Sequence, residues 1–241
     1  MISRFFCPLP AAPEGEVALP REVAHHAERV LRLVVGDELV LFGGDGAEYA
    51  ARLVSLGREP RAEILARRAP ERESPLAVTL VQALASGDKM DWVVQKAVEL
   101  GAVAVAPVAA ERSVLKLAGE RADKRQAHWR QVAVSACEQC GRNRVPEILP
   151  VRTLTACLAE PAGNALRLML DPAAPGGLGD LGRPTGPVHI LIGPEGGWSP
   201  AELAAARQAG VRGVRLGPRV LRTETAGLAM LAALQALWGD F

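Results

Sequence analysis

Short apolar runs open the chain: SRFF at 3–6, ELVLF at 38–42, AEYAARLV at 47–54 and RAEILARR at 61–68. Their length and their bulky apolar content predict strands. Between the second and third runs stands Gly43-Gly44-Asp45-Gly46. Asp45-Gly46 tolerates the positive φ angles of a tight turn, so the two runs read as a β-hairpin. Nothing after these glycines has the makings of a helix start, which favours a turn over a phosphate-binding loop. In PREVAHHAERVLRLVVGDE, residues 20–38, Val23, Ala27, Val30 and Leu31 recur at helical spacing until Gly36. That pattern predicts a short helix capping a small barrel.

The stretch from Ala69 to Pro75 is charged, bounded by prolines and without periodicity, and so reads as a linker with a boundary near residue 73. Beyond it, strand-like and helix-like segments alternate. LAVTLVQAL (76–84), AVAVAPV (102–108), ALRLML (165–170), VHILI (188–192) and VRGVRLG (211–217) are the strands. Helices fall at 88–101, around 120–140, after Ser199 and at the end. Such alternation predicts an α/β domain with a largely parallel sheet covered by helices. The expected organisation is a small strand-rich domain over residues 1–72 and an α/β domain over 73–241. In DKMDWVVQKAVELG, Met90, Val93, Val94, Ala97 and Val98 share a face, with Asp88 placed to cap the start and Gly101 the end.

Composition narrows the class. The 241 residues are 49% hydrophobic and 23% charged, the usage of a globular protein able to bury a core. No apolar run approaches the roughly 20 residues of a membrane helix, and the N-terminus lacks a signal peptide's apolar centre, which leads us to expect a cytoplasmic protein with no membrane partner. Cys7, Cys137, Cys140 and Cys157 are too few for a disulfide scaffold. Cys137 and Cys140 form a single CxxC without a second pair, so no metal is expected. The net charge of +1 offers no general attraction to a polyanion. One local excess exists: residues 111–144 hold eight basic and four acidic side chains.

Two segments carry the chemistry. In VHILIGPEGGWSPAE a strand runs into Gly193-Pro194-Glu195-Gly196-Gly197, and a helix start follows, with Ser199 as N-cap, Pro200 in the first turn and Glu202 completing a capping box. A glycine loop between a strand end and a helix N-terminus is where ligands bind in open α/β sheets. In VRGVRLGPRVLRTETAGLAML a second strand ends in Gly217-Pro218, and Thr223 or Thr225 is placed to cap the last helix. If the two strands are neighbours, their loops open at one sheet edge and build one pocket.

These two segments, paired in this order, closely resemble the signature of the SPOUT RNA methyltransferases, and among them the RsmE type, which methylates N3 of a uridine in small-subunit (16S) ribosomal RNA. The RFF start, HHAERVLRLVVGDELVLFGGDG, KMDWVVQKAVELGA, ERSV and EQCGRNRVPEI match the same family; Cys140 stands where many relatives have Ser. The resemblance implies a C-terminal parallel sheet whose chain threads a trefoil knot, preceded by a PUA-like β-barrel that holds RNA. It also implies a homodimer formed through the knot, with 16S ribosomal RNA or the small ribosomal subunit as partner. The implied cofactor is S-adenosyl-L-methionine, held by Leu170, Gly193, Glu195, Gly196, Gly197, Leu216, Gly217, Leu221, Thr223, Thr225 and Ala226.

Methylation at a uracil N3 requires alignment and removal of an imide proton. We assign the proton to Glu224, with Arg222 offsetting charge on the uracil and Glu195 as the second choice of base. The N3 edge is blocked in a paired base, so the uridine must be flipped or single-stranded. Arg4, His25, Arg29, Arg32, Arg142 and Arg144 are the expected phosphate contacts. Two other readings compete. One is a ribose 2′-O methyltransferase, disfavoured by the RTETAG and GPEGG forms; the other is a non-catalytic RNA-binding assembly factor.

Overall fold

The computed structural model describes residues 2–10 and 12–241 and divides into two compact units. The first comprises the chain up to Glu73 together with Val134–Val145; the second comprises Ser74–Ala133 and Pro146–Phe241. In the first unit the strands are β1 (Ser3–Phe6), β2 (Glu16–Ala18), β3 (Glu38–Phe42), β4 (Glu48–Ser55) and β5 (Arg61–Arg68), with α1 (Arg21–His25) between β2 and β3. The second unit holds β6 (Val78–Ala83), α2 (Lys89–Glu99), β7 (Ala104–Ala109), β8 (Glu147–Ile148), β9 (Arg152–Thr153), α4 (Leu154–Ala159), β10 (Leu166–Leu170), β11 (Val188–Ile192), α5 (Pro200–Gln208), β12 (Arg212–Val214) and α6 (Thr223–Trp238). Helix α3 (Glu120–Cys140) begins in the second unit and ends in the first.

The first unit is a sheet of order β1-β3-β4-β5-β2, parallel only between β1 and β3. Register shifts between β4 and β5 mark bulges, which bend a sheet around its contents. Phe5, Leu39, Leu41, Tyr49, Leu53 and Ala62 fill its interior. Each fully buried Leu or Phe contributes about 1.5–3 kcal/mol. The hairpin is present, but its left-handed backbone falls on Gly44 and Gly46; Asp45 instead accepts a hydrogen bond from the Ala47 N–H (3.0 Å), which closes the turn locally.

The helix expected before the hairpin departs from its pattern. After His25 it widens into a π-turn over His26–Val30. That extra residue per turn rotates the apolar stripe, so Ala24 and Ala27 are buried while Val30 and Leu31 are exposed. Arg32, in left-handed backbone at φ 57°, ends the element, and the Leu33 N–H closes back on the Ala27 carbonyl (2.9 Å).

The second unit is a parallel sheet of order β12-β10-β11-β6-β7-β8, with β9 also paired to β7. Central β6 is buried at every position but Thr79 because both faces are covered. On one face Val81, Ala83, Met169 and Leu191 pack with Leu154 of α4 and Ala206 of α5. On the other lies α6, which approaches so closely that a Cβ at Gly227 would stand 3.1 Å from Leu80 and 3.2 Å from Gln82. β11 and β12 are not neighbours, since β10 separates them. All strands are parallel, so their loops still open at one edge.

Two caps differ from expectation. Asp88 has ψ near 7°, away from the extended backbone of a capping residue, and makes no side-chain cap. Helix α6 starts after Arg222, and Thr223 is its first residue rather than its cap. The capping box at Ser199 and Glu202 is fully formed.

Candidate active site

The carboxyl ends of β10, β11 and β12, with Lys89 from the start of α2, surround a cavity of about 610 Å³. Leu170, Gly193, Glu195, Gly197, Leu216, Gly217, Leu221, Arg222, Thr223, Glu224 and Ala226 all line it. Residues dispersed over 57 positions of sequence are thus brought to one place, counted from Leu170 to Ala226. The sheet edge explains this, because parallel strands deliver every following loop to the same side.

Thr223 fastens two of these loops together. Its hydroxyl donates to the Gly193 carbonyl (2.5 Å) and accepts from the Gln82 amide (2.9 Å). The side chain is buried, so a hydroxyl read as a local cap serves instead as a staple between β6, the loop after β11 and α6. On the outer side of the β11 loop, Arg112 donates to the carbonyls of Gly196 (3.2 Å) and Trp198 (3.4 Å). Gly196 is therefore turned toward Arg112 and does not line the cavity. Thr225, one residue past the lining carboxylate, is exposed and also lies outside the lining. Both corrections follow from peptide and helix geometry, which turn successive residues to different sides.

Electrostatically the site centres on a residue that the sequence did not single out. The Lys89 ammonium, at the start of α2, lies 3.1 Å from Glu195 Oε1 and 3.5 Å from Glu224 Oε2. Hydrogen bonding to Glu195, reinforced by the charges of both carboxylates, raises its pKa. Glu195 Oε1 also accepts from the Ser86 backbone N–H (3.0 Å) and hydroxyl (2.8 Å). Partial burial pushes the Glu195 carboxyl up. The hydrogen bonds from Ser86, its own backbone N–H and Lys89 outweigh that and bring it to about 2. A carboxylate held this way is a weak proton acceptor. Glu224 differs: its Oε2 is buried and makes no close hydrogen bond among the described residues, with the Lys89 ammonium 3.5 Å away. Asp171, Pro172, Trp198, Arg215 and Arg219 are also among the lining residues. The one sequence signal that could have found Lys89 is its place just beyond a strand end on the same edge.

The depressed pKa of Glu195 has a consequence for stability. A carboxyl with pKa 4.5 when free and about 2 when folded stabilises the fold above the higher value. That contribution fades as pH falls from there toward 2. Glu195→Gln is expected to lower the thermal midpoint at neutral pH and to flatten its fall on acidification, so that variant and wild type converge near pH 2. Parallel melting curves across that range would discard the assignment.

The expected phosphate contacts divide. Arg4 is half-buried in the first unit, bonded to Glu48 (2.7 Å), Asn143 (2.5 Å) and the Gly141 carbonyl (3.2 Å). Arg142 is buried and paired with Glu73. Both guanidinium groups are engaged with carboxylates inside the first unit, and losing Arg4 would leave the buried Glu48 without its cation. His25, Arg29, Arg32 and Arg144 are exposed. His25 lines a shallow depression with Arg21 and Arg58.

The chain matches the RNA methyltransferase domain family over residues 72–235 and the RNA methyltransferase PUA domain family over residues 19–60. The crystal structure of a ribosomal RNA small subunit methyltransferase E from Neisseria gonorrhoeae, bound to S-adenosyl methionine, is similar over 100% of both chains, with a TM-score of 0.94 and 41% identity. A putative methyltransferase from Legionella pneumophila, in complex with the same cofactor, is similar over 100% of both chains, with a TM-score of 0.95 and 36% identity. Ribosomal RNA small subunit methyltransferase E of Mycobacterium bovis is 38% identical over 220 residues, 88% of this chain and 83% of the relative.

Proposed function

Since the chain belongs to the RNA methyltransferase family with its companion PUA domain, we propose that it transfers a methyl group from S-adenosyl-L-methionine to N3 of a uridine in small-subunit ribosomal RNA. The observation that carries this reading is the whole-length likeness to a cofactor-bound small-subunit methyltransferase, joined to a cavity built from the two segments that the sequence singles out.

The cavity fits the cofactor. Its volume lies within the roughly 300–1,000 Å³ of small-molecule sites. Leu170, Leu216, Leu221 and Ala226 offer apolar walls for an adenine, and the loop backbone at Gly193 and Gly197 offers polar groups to ribose and amino acid. When bound, S-adenosylmethionine supplies an electrophilic methyl on a sulfonium sulfur. The protein's share is orientation, exclusion of water and removal of the imide proton. Glu224 Oε2 takes that proton, as a cavity-wall carboxylate oxygen held by the Lys89 charge at 3.5 Å rather than by a close hydrogen bond. Lys89 fixes the carboxylate from one side, and Arg222 at the mouth offsets charge that develops on the uracil carbonyls. Glu195 anchors Lys89 instead of serving as base.

Two copies of the chain form the working enzyme in this proposal, joined through a knotted C-terminal segment. Leu237 and Phe241, apolar and exposed at the end of the chain, support such a surface. Its place of work is the cytoplasm, where ribosomal subunits are assembled.

Mass mapping of small-subunit ribosomal RNA from a strain lacking this protein tests the proposal. One uridine is expected to lose an N3-methyl group, and purified protein with S-adenosylmethionine is expected to restore it. Methylation restored at a ribose 2′-OH, or no methylation at all, would overturn the reading.

A further inference from the structure

The loop between β12 and α6 displays positive charge that the cavity behind it does not use. Arg215, Arg219 and Arg222 line the cavity mouth and are exposed. Three acids share that cavity, yet none pairs with these arginines: Asp171 lies 3.8 Å from Arg207, while Glu195 and Glu224 face Lys89. Three guanidinium groups within eight residues, with the nearby carboxylates taken by other cations, leave a local positive field facing outward.

The loop that carries them is anchored at both ends. The Arg215 N–H donates to the Gly176 carbonyl (3.0 Å) and Arg215 pairs with Gly177 in an isolated parallel bridge. At the other end Thr223 is stapled to Gly193. Between Arg219 and Leu221, Val220 is 78% exposed, more than any other large apolar side chain among the described residues. Anchored backbone thus presents cations and an apolar tip at the rim of a nucleotide-sized cavity. Guanidinium groups pair with phosphate oxygens in bidentate fashion, and an apolar tip between them packs against a sugar or base.

We propose that Arg215 and Arg219 hold the phosphates on either side of the target uridine, with Val220 packed against the nucleotide turned out toward the cavity. This inference rests on the methyltransferase reading and places the RNA over the site through this strap. The same chemistry has a second source, the carboxylate of the cofactor's amino-acid part, so the test has two arms.

Full-length Arg215→Gln, Arg219→Gln and the double variant are titrated with a single-stranded oligouridylate over a salt series, and with S-adenosylmethionine by calorimetry. Each single change is expected to flatten the slope of log K against log salt by about 0.7, and the double change by about 1.4, the value for phosphate contacts to a single strand. Cofactor affinity is expected to stay within twofold. Lys124→Gln, on an exposed face of α3 beside Glu120, is expected to leave the slope unchanged. A fall in cofactor affinity with an unchanged slope would assign the arginines to the carboxylate and overturn the inference. So would no change in either arm, or an equal effect at Lys124. The titration needs no methyl transfer, so a wild type that binds RNA through these arginines but methylates nothing would sink the proposed function alone.

Discussion

Glu224→Gln lowers single-turnover methyl transfer by about 10²–10⁴ at neutral pH, the range lost with a general base. Cofactor affinity stays within a few fold. The substitution preserves shape and keeps an oxygen available to Lys89, now 3.5 Å from Oε2, so the loop should hold its place. What disappears is the basic carboxylate, since the amide oxygen of Gln accepts a hydrogen bond but does not take up the imide proton. The defect shrinks as pH rises, because hydroxide increasingly ionises the imide without help. This pH dependence separates chemistry from structure, since a loop that has lost its shape would remain defective at every pH. Wild-type rates at neutral pH in this variant would remove Glu224 from the mechanism. Glu195, held at about 2 by its hydrogen bonds, would be a poor substitute, and the search would move to a second copy of the chain.

The parts of this site that were legible in the sequence are those written by local rules. Ser199, Pro200 and Glu202 specify a helix start within four residues, and the structure forms it as read. The strands before both loops were legible because apolar runs of strand length end in glycine. Strand order was not. Nothing local places β10 between β11 and β12, although their shared parallel direction makes the cavity possible without adjacency. Lys89 escaped for a similar reason: its carboxylate partner Glu195 is 106 residues away.

Where a residue has both a local and a distant use, the distant one won. Thr223 had the right type and position for a cap, yet its hydroxyl is taken by Gly193 and Gln82. Arg4 and Arg142 looked like surface cations, because Glu48 and Glu73, the acids that pair with them, stand far off in sequence. Val30 and Leu31 failed differently. The 3.6-residue period places them on the buried face, and the π-turn at His26–Val30, which ends on Val30 and just before Leu31, breaks that period.

Gly197→Val abolishes measurable cofactor binding, for two reasons that a companion variant separates. The backbone at Gly197 is left-handed, with φ 66°, and its N–H closes a turn onto the Pro194 carbonyl (2.9 Å). An L-residue there costs about 1–2 kcal/mol, and a β-branched one more. No atom lies within 4 Å of where its Cβ would stand, so an added side chain meets no protein and projects into the space beside the loop that lines the cavity. Gly197→Ala carries the backbone strain with a single methyl group. A strain of 1–2 kcal/mol alone weakens binding by about tenfold. If the cofactor fills the open space beside Gly197, the two further methyl groups of Val overlap it, and affinity should fall by a further factor of at least about a hundred, since overlap with a bound ligand is not relieved by small shifts. Calorimetry with S-adenosylmethionine, alongside circular dichroism to show that both variants fold, decides the matter. Equal losses in Ala and Val would mean that backbone shape alone matters. Wild-type affinity in a folded Val variant would show that the Gly193–Gly197 loop does not hold the cofactor.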